Sequence, residues 1–389
     1  MTREPIRADL SGLAPRAVGD RYESPLHETR TAAWLGLGLG VTFTLCFLTG
    51  LWSHLAQDPP SWFTYPARPA GFYRITQGVH IASGTAAIPL LLAKLWVVNP
   101  RLLAWPPARS ILHAVERLAL LPLVGGGLFM LLSGTLNVAR WYPWSFFFPR
   151  AHFWVAWITI GALIVHLGAK GAIAWNALRR EPRPASAVRA DPANRRAFLS
   201  GVVAASGGLA VATSGGTLSP LSPISVLAQR RPGRGPQGLP INKSAASAQV
   251  LGLARDPGYR LVVEGAVARR LELTLDDLRA LPQHTAELPI ACVEGWSQSA
   301  HWTGVRVRVL LDLAGTGHDA EATVESLQPH GRYRRSQLNR DQIADPDTLL
   351  ATELNSEPLH IDHGFPARLI GPNRPGVLQT KWVHRLVVR

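Results

Sequence analysis

Cysteine is nearly absent: Cys46 and Cys292 are the only two among 389 residues. Two thiols exclude a disulfide framework and any cysteine-rich zinc or iron–sulfur site. Methionine is as rare, with Met1 and Met130 alone, so residues 241–389 contain none. Charge is sparse at 17% of the chain, and acidic residues are the minority, 26 against 40 basic, for a net +14. Disorder on a large scale pairs high net charge with few apolar residues, and an apolar share of 47% excludes it. Residues 241–389 carry no P-loop, no Rossmann fingerprint and no HExxH metal motif. A chain of this length divides into two or three domains.

Long apolar runs fill the first half. Residues 31–53 are uncharged and exceed the roughly 20 residues that span a bilayer. Further spans are predicted at 74–98, 118–138 and 151–176, with a weaker, Gly/Ala/Ser-rich fifth at 197–212. Positive charge in the connections sets the orientation. Arg3, Arg7, Arg16, Arg21 and Arg30 precede span one; Lys94, Arg101, Arg109 and Arg117 flank the 2–3 connection. The 4–5 connection holds Lys170, Arg179, Arg180, Arg183, Arg189, Arg195 and Arg196. The other side has only Arg68, Arg74, Arg140 and Arg150. The N-terminus is therefore expected in the cytoplasm and residues 241–389 outside it. The basic excess is a topology signal, so a nucleic-acid partner is not expected, and a lipid bilayer is. Trp52, Trp62, Tyr65, Tyr73, Trp141, Tyr142 and Trp144 fall where an outer aromatic belt belongs.

Imidazoles at membrane depth are costly and usually functional. His152 and His166 lie 14 residues apart on span four, about 40° short of four full turns and about 21 Å apart along the axis. One helix face thus offers a ligand near each membrane surface, as two stacked haems require. His80 on span two has the depth to face His152, and His27, just before span one, to face His166. His113 and His54 remain alternatives for these partners. An imidazole on each side of the iron gives a b-type haem suited to electron transfer. Residues 25–178 resemble the di-haem cytochrome b subunits of membrane formate dehydrogenases and hydrogenases. There the ligands come from the starts of the first two spans and from a 14-spaced pair on the fourth. The resemblance implies haem iron at His27, His80, His152 and His166. It also implies exchange of electrons with a membrane quinone or quinol.

Residues 194–200 read NRRAFLS before an apolar run. The stretch is similar to a twin-arginine export signal, with departures at Asn194 and Ser200, and implies that a domain folded around its cofactor crosses the membrane. Residues 213–240 are dominated by Pro, Gly and Ser and read as a linker. Ala210-Val211-Ala212 is a candidate peptidase site, but a retained anchor is the expectation.

In residues 241–389 the runs Tyr259–Val263, Pro289–Val293 and Trp382–Val388 read as strands. Asp276–Leu281 and Val307–Leu313 read as short helices. Cys292 is the chemically unusual residue. An exposed thiol in an oxidising compartment oxidises, so it is either a buried core cysteine or a thiolate held by a soft metal. The stretch LPIACVEGWSQSAHWTGVRVRVLLDLAG (288–315) resembles molybdopterin oxidoreductases of the sulfite-oxidase fold. Its Cys-Val-Glu-Gly-Trp form resembles the catalytic subunit of periplasmic methionine-sulfoxide reductase, and residues 350–383 match the pterin-binding half of the fold. The resemblance implies that Cys292 ligates molybdenum and that Asn242, His363, Arg368 and Lys381 contact the pterin. Arg and Lys suit its phosphate. Val293, Glu294, Gly295 and Trp296 replace the cationic run that follows the cysteine in sulfite oxidases. The basic group Arg332, Arg334, Arg335 and Arg340 is a second candidate for attracting an anion.

The expected architecture is an all-α membrane helical bundle, four haem-binding spans plus a fifth anchor, followed by an α+β, mainly β, sulfite-oxidase-type molybdopterin domain. Its segments are a cytoplasmic arm (1–30), the cytochrome b-like bundle (31–178), a basic loop with the twin-arginine-like motif and fifth span (179–212), the linker (213–240) and the molybdopterin domain (241–389). The expected activity is a molybdenum oxidoreductase with a molybdenum-molybdopterin and two haem b, reducing an S- or N-oxide outside the cell (inner) membrane. The alternatives are a sulfite-type or other small-substrate dehydrogenase passing electrons inward, and a cytochrome with a non-catalytic binding domain.

Overall fold

The computed structural model describes residues 24–102, 110–146, 148–179, 192–228, 230 and 233–389. Among the described residues five helices are long and apolar enough to cross a membrane: α1 Thr29–Gln57, α2 Phe72–Leu102, α3 Ile111–Ala139, α4 Phe148–Arg179 and α5 Pro192–Ser214. Each overlaps one predicted span and runs past it at one or both ends. Large apolar side chains such as Leu37, Leu48, Trp154, Ile164 and Val165 are exposed along them, as a lipid-facing surface requires.

The chain divides into two compact units that cut across these helices. One unit gathers residues 1–43, 86–133 and 147–207. In it Ala32, Leu35, Leu90 and Val97 form a buried core against which Phe198, Leu199 and Val202 of α5 pack. The NRRAFLS motif therefore lies in the first turns of α5, where Arg195 pairs with Glu28 at 2.7 Å. Arg180, Arg183 and Arg189 fall outside the described residues, as does the arm 1–23.

The second unit gathers residues 44–85, 134–146 and 208–389. Its mixed α and β part begins with the one-turn helix α6 Leu251–Ala254. The strands are β1 Leu261–Gly265, β2 Leu271–Leu273, β3 Gln283–Cys292, β4 Trp296–Arg306, β5 Ala322–Ser326, β6 Arg335–Leu338, β7 Leu349–Leu354, β8 Glu357–Pro358, β9 Arg368–Ile370 and β10 Val383–Val388. Three more short helices intervene, α7 Leu275–Ala280, α8 Val307–Ala314 and α9 Arg340–Ala344. One sheet runs β2-β1-β10-β5-β6, with β1 and β10 parallel and the other pairs antiparallel. The other runs β3-β4-β7-β8, with β9 also on β7. Apolar alternation explains both: Leu261, Val263, Val324 and Leu386 turn inward onto Leu310 and Leu311 of α8. Leu288, Ile290, Trp302, Leu349 and Ile370 fill the core of the second sheet. The short helices start where their caps say. Thr274 accepts from the Asp277 amide, and Asn339 from that of Gln342, each satisfying a free helix donor.

Residues 213–240 form no strand among those described, but they are not a free tether. Only two 3-10 turns, Ser219–Leu221 and Pro236–Gly238, interrupt them. Gln237 donates to Leu354 and Pro358 and accepts from the His360 amide, while Leu239 is fully buried. Composition reports the lack of regular structure; it cannot report that this irregular backbone finds its hydrogen bonds on the neighbouring sheet.

The candidate molybdopterin site

Cys292 is the last residue of β3 and faces Trp296, the first of β4. Three residues close the hairpin, and Gly295 supplies the left-handed conformation (φ +83) that such a loop needs. The Gly295 amide donates back to Cys292 O at 3.1 Å. The sulfur is free of any disulfide and the residue is 1% exposed. Burial, aided by the carboxylate of Glu294, pushes its thiol up to about 12. Alone, it is a protonated, inert thiol at neutral pH; a soft cation at the sulfur is what makes it a thiolate.

The predicted pterin contacts converge. Gly364 (φ +117) has no side chain to hold off the Arg368 side chain and the Lys381 backbone, each of which an added Cβ would meet at 3.2 Å. This close approach brings His363, Arg368 and Lys381 together. Arg368 Nη1 donates to His363 O at 3.0 Å, and its guanidinium lies 5.2 Å from the Trp302 ring. Lys381 Nζ donates to the carbonyls of Lys243 and Asp362. His363 Nε2 donates to Pro236 O at 2.7 Å. Burial and the Arg368 charge hold its pKa down to about 3. Asn242 precedes Lys243, whose carbonyl Lys381 meets, and its own carbonyl accepts from Arg140. Its Oδ1 accepts from the Lys243 amide.

Arg368 lacks a counter-charge, and Lys381 feels the attraction of the Asp362 carboxylate without forming an ion pair with it. Arg368 is 3% exposed, and burial lowers it to about 9; burial lowers Lys381 well below its usual range as well. Among the described residues no ion pair includes Arg368, Arg374 or Lys381, and the buried Nε of Arg368 has no hydrogen-bond partner. Buried positive charge without carboxylates is costly, and an anionic ligand relieves it. A phosphate-bearing cofactor fits that need. The thiol lies close enough to Lys381 for charge on one to be felt by the other. No group of three or more His, Cys, Asp or Glu gathers as a metal cage among the described residues. A single protein sulfur suits a metal that arrives already held by an organic cofactor.

Arg374 is the residue that sequence reading missed. It is buried beside the end of β3, where Ala291 bridges Pro375, and binds Gln342 at 2.6 Å and the carbonyls of Gln337 and Leu378. Burial lowers it to about 10. Its signal was present in Gly-Pro-Asn-Arg-Pro-Gly, a turn sequence with a cation at its centre. The basic group at 332–340 is spent on local partners. Arg332 pairs with Asp58 at 3.0 Å, Arg335 with Glu325 at 2.7 Å and Arg340 with Asp319 at 3.3 Å. Arg334 donates to Pro329 O.

The haem candidates are spread over three stretches of chain, with His152 and His166 both on α4. His27 precedes α1, and its Nε2 is buried without a hydrogen-bond partner. His80 on α2 holds its Nδ1 at 3.0 Å from Cys46 O. A carbonyl only accepts, so Nδ1 carries the proton. His152 on α4 directs Nδ1 to Ser133 Oγ at 2.8 Å, and His166 lies four turns further along. The His113 side chain lies outside the described residues, and His54 is at the end of α1.

Comparison with known proteins agrees with the geometry. The family model described as "Oxidoreductase molybdopterin binding domain" matches residues 249–389. Mitochondrial sulfite oxidase of Drosophila melanogaster is 34% identical over 155 residues, 33% of this chain and 27% of that protein. YedZ1 of Azospira oryzae, named as a subunit of a protein-methionine-sulfoxide reductase, is 32% identical over 130 residues, 33% of this chain and 48% of that protein. Among solved structures, the sulfane dehydrogenase SoxCD of Paracoccus pantotrophus is 26% identical with a TM-score of 0.32, covering 34% of this chain and 38% of that one. The chain thus spans less than a third of the sulfite oxidase and about half of YedZ1. The C-terminal part is a sulfite-oxidase-type molybdopterin-binding domain. It is an oxidoreductase domain, carried on a region of five apolar helices.

Proposed function

We propose that the protein is a membrane-anchored molybdenum oxidoreductase that exchanges electrons between the quinone pool and an extracytoplasmic molybdenum site through two b-type haems, reducing an S- or N-oxide. The observation that carries the reading is the buried, unpaired thiol of Cys292 beside cations that have no carboxylate partners. Arg368 and Lys381 would hold the phosphate of the pterin, the neutral His363 would line it, and Asn242 would contact it from the chain's approach to the domain. The molybdenum cofactor, when bound, supplies two-electron oxygen-atom transfer. The protein's own part is to fix Cys292 in a water-poor hairpin and to keep the cation cluster charged toward the phosphate.

Four further observations support the membrane half of the reading. The connections 58–71 and 140–146 fall into one compact unit with residues 208–389. The positive-charge bias of the sequence supports an extracytoplasmic location for these same two connections. Arg195 and Arg196 of the twin-arginine-like motif open α5, the helix that leads to the domain. At His80 and His152 the Nδ1 atoms are engaged, which is how a ligating histidine is usually oriented, with Nε2 toward the metal. The buried, unpartnered Nε2 of His27 asks for a ligand in the same way.

The test is metal analysis with reduced-minus-oxidised spectra on the detergent-purified full chain from a molybdenum-replete host. Molybdenum near one per chain with two b-type haems is expected, with reoxidation of dithionite-reduced haem by dimethyl sulfoxide or trimethylamine N-oxide. Haem without molybdenum, from a host that loads other molybdoenzymes, would leave a cytochrome with a binding domain. Reduction of the haems by a small sulfur substrate would reverse the electron flow.

A further inference from the structure

The loop Val293-Glu294-Gly295 after Cys292 belongs to the domain that the family model covers, yet its polar groups are held by residues outside 249–389. Asn137 Nδ2, in the last turn of α3, donates to Val293 O at 3.0 Å. Thr217 Oγ1, just beyond α5, donates to Gly295 O at 3.0 Å in a buried contact. Gly216 O accepts from the Ser297 amide at 2.7 Å. Arg140 Nε pairs with Glu294 at 3.3 Å, while its Nη2 donates to Asn242 O at 3.3 Å. The apolar side of the loop is covered too: a Cβ on Gly295 would meet Ile81 of α2 at 2.8 Å and Val138 of α3 at 3.5 Å.

A hairpin tip ordinarily takes its hydrogen bonds from water. This one takes them from the end of one apolar helix, α3, with the arginine that follows it, and from the stretch that follows another, α5. Arg140 adds a second sign of constraint. It follows the end of α3 with φ +54, a left-handed conformation that favours glycine, and still an arginine stands there. An unusual backbone that persists is one whose surroundings over-determine it; here they are Glu294 and the Asn242 carbonyl.

We propose that Asn137 and Thr217 are positioning residues for Cys292: by holding the two carbonyls of the loop they fix where the sulfur points. The helical region is then part of the metal site rather than only its anchor. The inference rests on the proposed function for the identity of the metal and on the geometry alone for the clamp.

The test uses the full chain in detergent, with Asn137→Ala, Thr217→Val, which keeps the shape and removes the donor, and Thr217→Ser, which keeps the donor. Two readouts are taken: deuterium uptake of the peptide covering 292–298, and the sulfur-to-molybdenum absorption of the loaded protein. Asn137→Ala and Thr217→Val are each expected to speed exchange of that peptide at least tenfold and to shift the absorption. Thr217→Ser is expected to match the wild type in both. Unchanged exchange in Asn137→Ala and Thr217→Val would overturn the clamp. Faster exchange with an unmoved absorption would overturn the positioning role, as would a Thr217→Ser protein that behaves like Thr217→Val. If the wild type takes up no molybdenum, the proposed function fails on its own. Exchange then still decides the clamp, and the rate at which iodoacetamide alkylates Cys292 replaces the absorption as the measure of where the sulfur points.

Discussion

Replacing Arg368 by methionine should act in opposite directions on the empty and the loaded protein. Arg368 is 3% exposed and is lowered from 12.5 to about 9 by burial alone. At 1.36 kcal/mol per unit this is a penalty on the order of 5 kcal/mol for keeping the charge inside. Methionine removes that penalty but also the bond to His363 O and the contact with the Trp302 ring. A net gain of about 2 kcal/mol is therefore expected, within the range found when buried charges give way to apolar groups. In a domain of this size that raises the unfolding midpoint by roughly 4–8 °C. The sign with pH follows. A depressed basic pKa penalises the folded state fully below about pH 9, and the penalty fades between there and 12.5. The gap between the empty wild type and Arg368→Met should narrow as pH rises past 9. On the proposed function the guanidinium would face a phosphate in the loaded protein, so the same change should cost cofactor retention by at least tenfold. The assay is thermal unfolding of the full chain, from a host unable to make the pterin and from a replete host, with molybdenum content measured beside it. Equal destabilisation in both forms would show that Arg368 is a structural residue and would refute the anion-cradle argument.

Cys292→Ser should abolish molybdenum retention while leaving any haem spectrum unchanged, as metal analysis and absorption on the same sample would show. Asn373 is 2% exposed and its side chain serves Pro66 O, the Tyr73 amide and Tyr65 Oη. Asn373→Ala should therefore cost about 2 kcal/mol, read from the unfolding midpoint. Arg68 pairs with both Asp345 and Asp347 but is half exposed, so Arg68→Ala should cost less than about 1 kcal/mol, and less again at high salt. The cofactor-free Cys292 thiol, raised to about 12, lets the folded state hold its proton more tightly than the unfolded chain. That stability should be complete below pH 9 and lost between 9 and 12 in denaturant titrations, and the Cys292→Ser protein should lack this loss.

Periodicity made the helices legible, because an apolar run of 20 or more residues has few other readings. The end of β3 at Cys292 was legible because apolar residues cluster there, whereas its first half and the whole of β4 were not read as strand. The helices α7 and α8 lie within a residue or so of their predicted bounds, since caps and a glycine stop mark their ends. The cation cluster was legible only as a joint spacing, through resemblance; no single Arg or Lys announces that it is buried. Three things were not legible. Arg374 reads as an ordinary turn arginine until the loop is folded against Ala291. The partner of Arg332 lies 274 residues away and that of Arg340 21 residues away, on segments no local pattern brings together, so the group reads as free charge. The residues 213–240 carry the composition of a tether, and their attachment depends on where the sheet presents donors and acceptors. Each miss has one cause: hydrogen bonds between distant segments leave no local pattern.

His152 gives the sharpest test of the haem reading, because a neighbouring hydroxyl meets its Nδ1. With the Ser133 proton on Phe129 O at 2.7 Å, the hydroxyl lone pair accepts from His152 Nδ1 at 2.8 Å, the arrangement that the haem reading requires. The proton then sits on Nδ1, and Nε2 is left with the lone pair that an iron ligand needs. A hydrogen bond from the far side of a ligating imidazole makes it more basic and favours the ferric state. Ser133→Ala removes that bond. A neutral hydrogen bond contributes about 1 kcal/mol, which for one electron is roughly 40 mV. One haem should therefore titrate about 40 mV higher while the other stays where it was, and His152→Ala should lose one haem entirely and halve the α-band. The measurement is a redox titration of the α-band in the purified full chain. If Ser133→Ala titrates with the wild type and His152→Ala keeps both haems, His152 is a packing residue of α4 and the ligand pair on that helix does not exist.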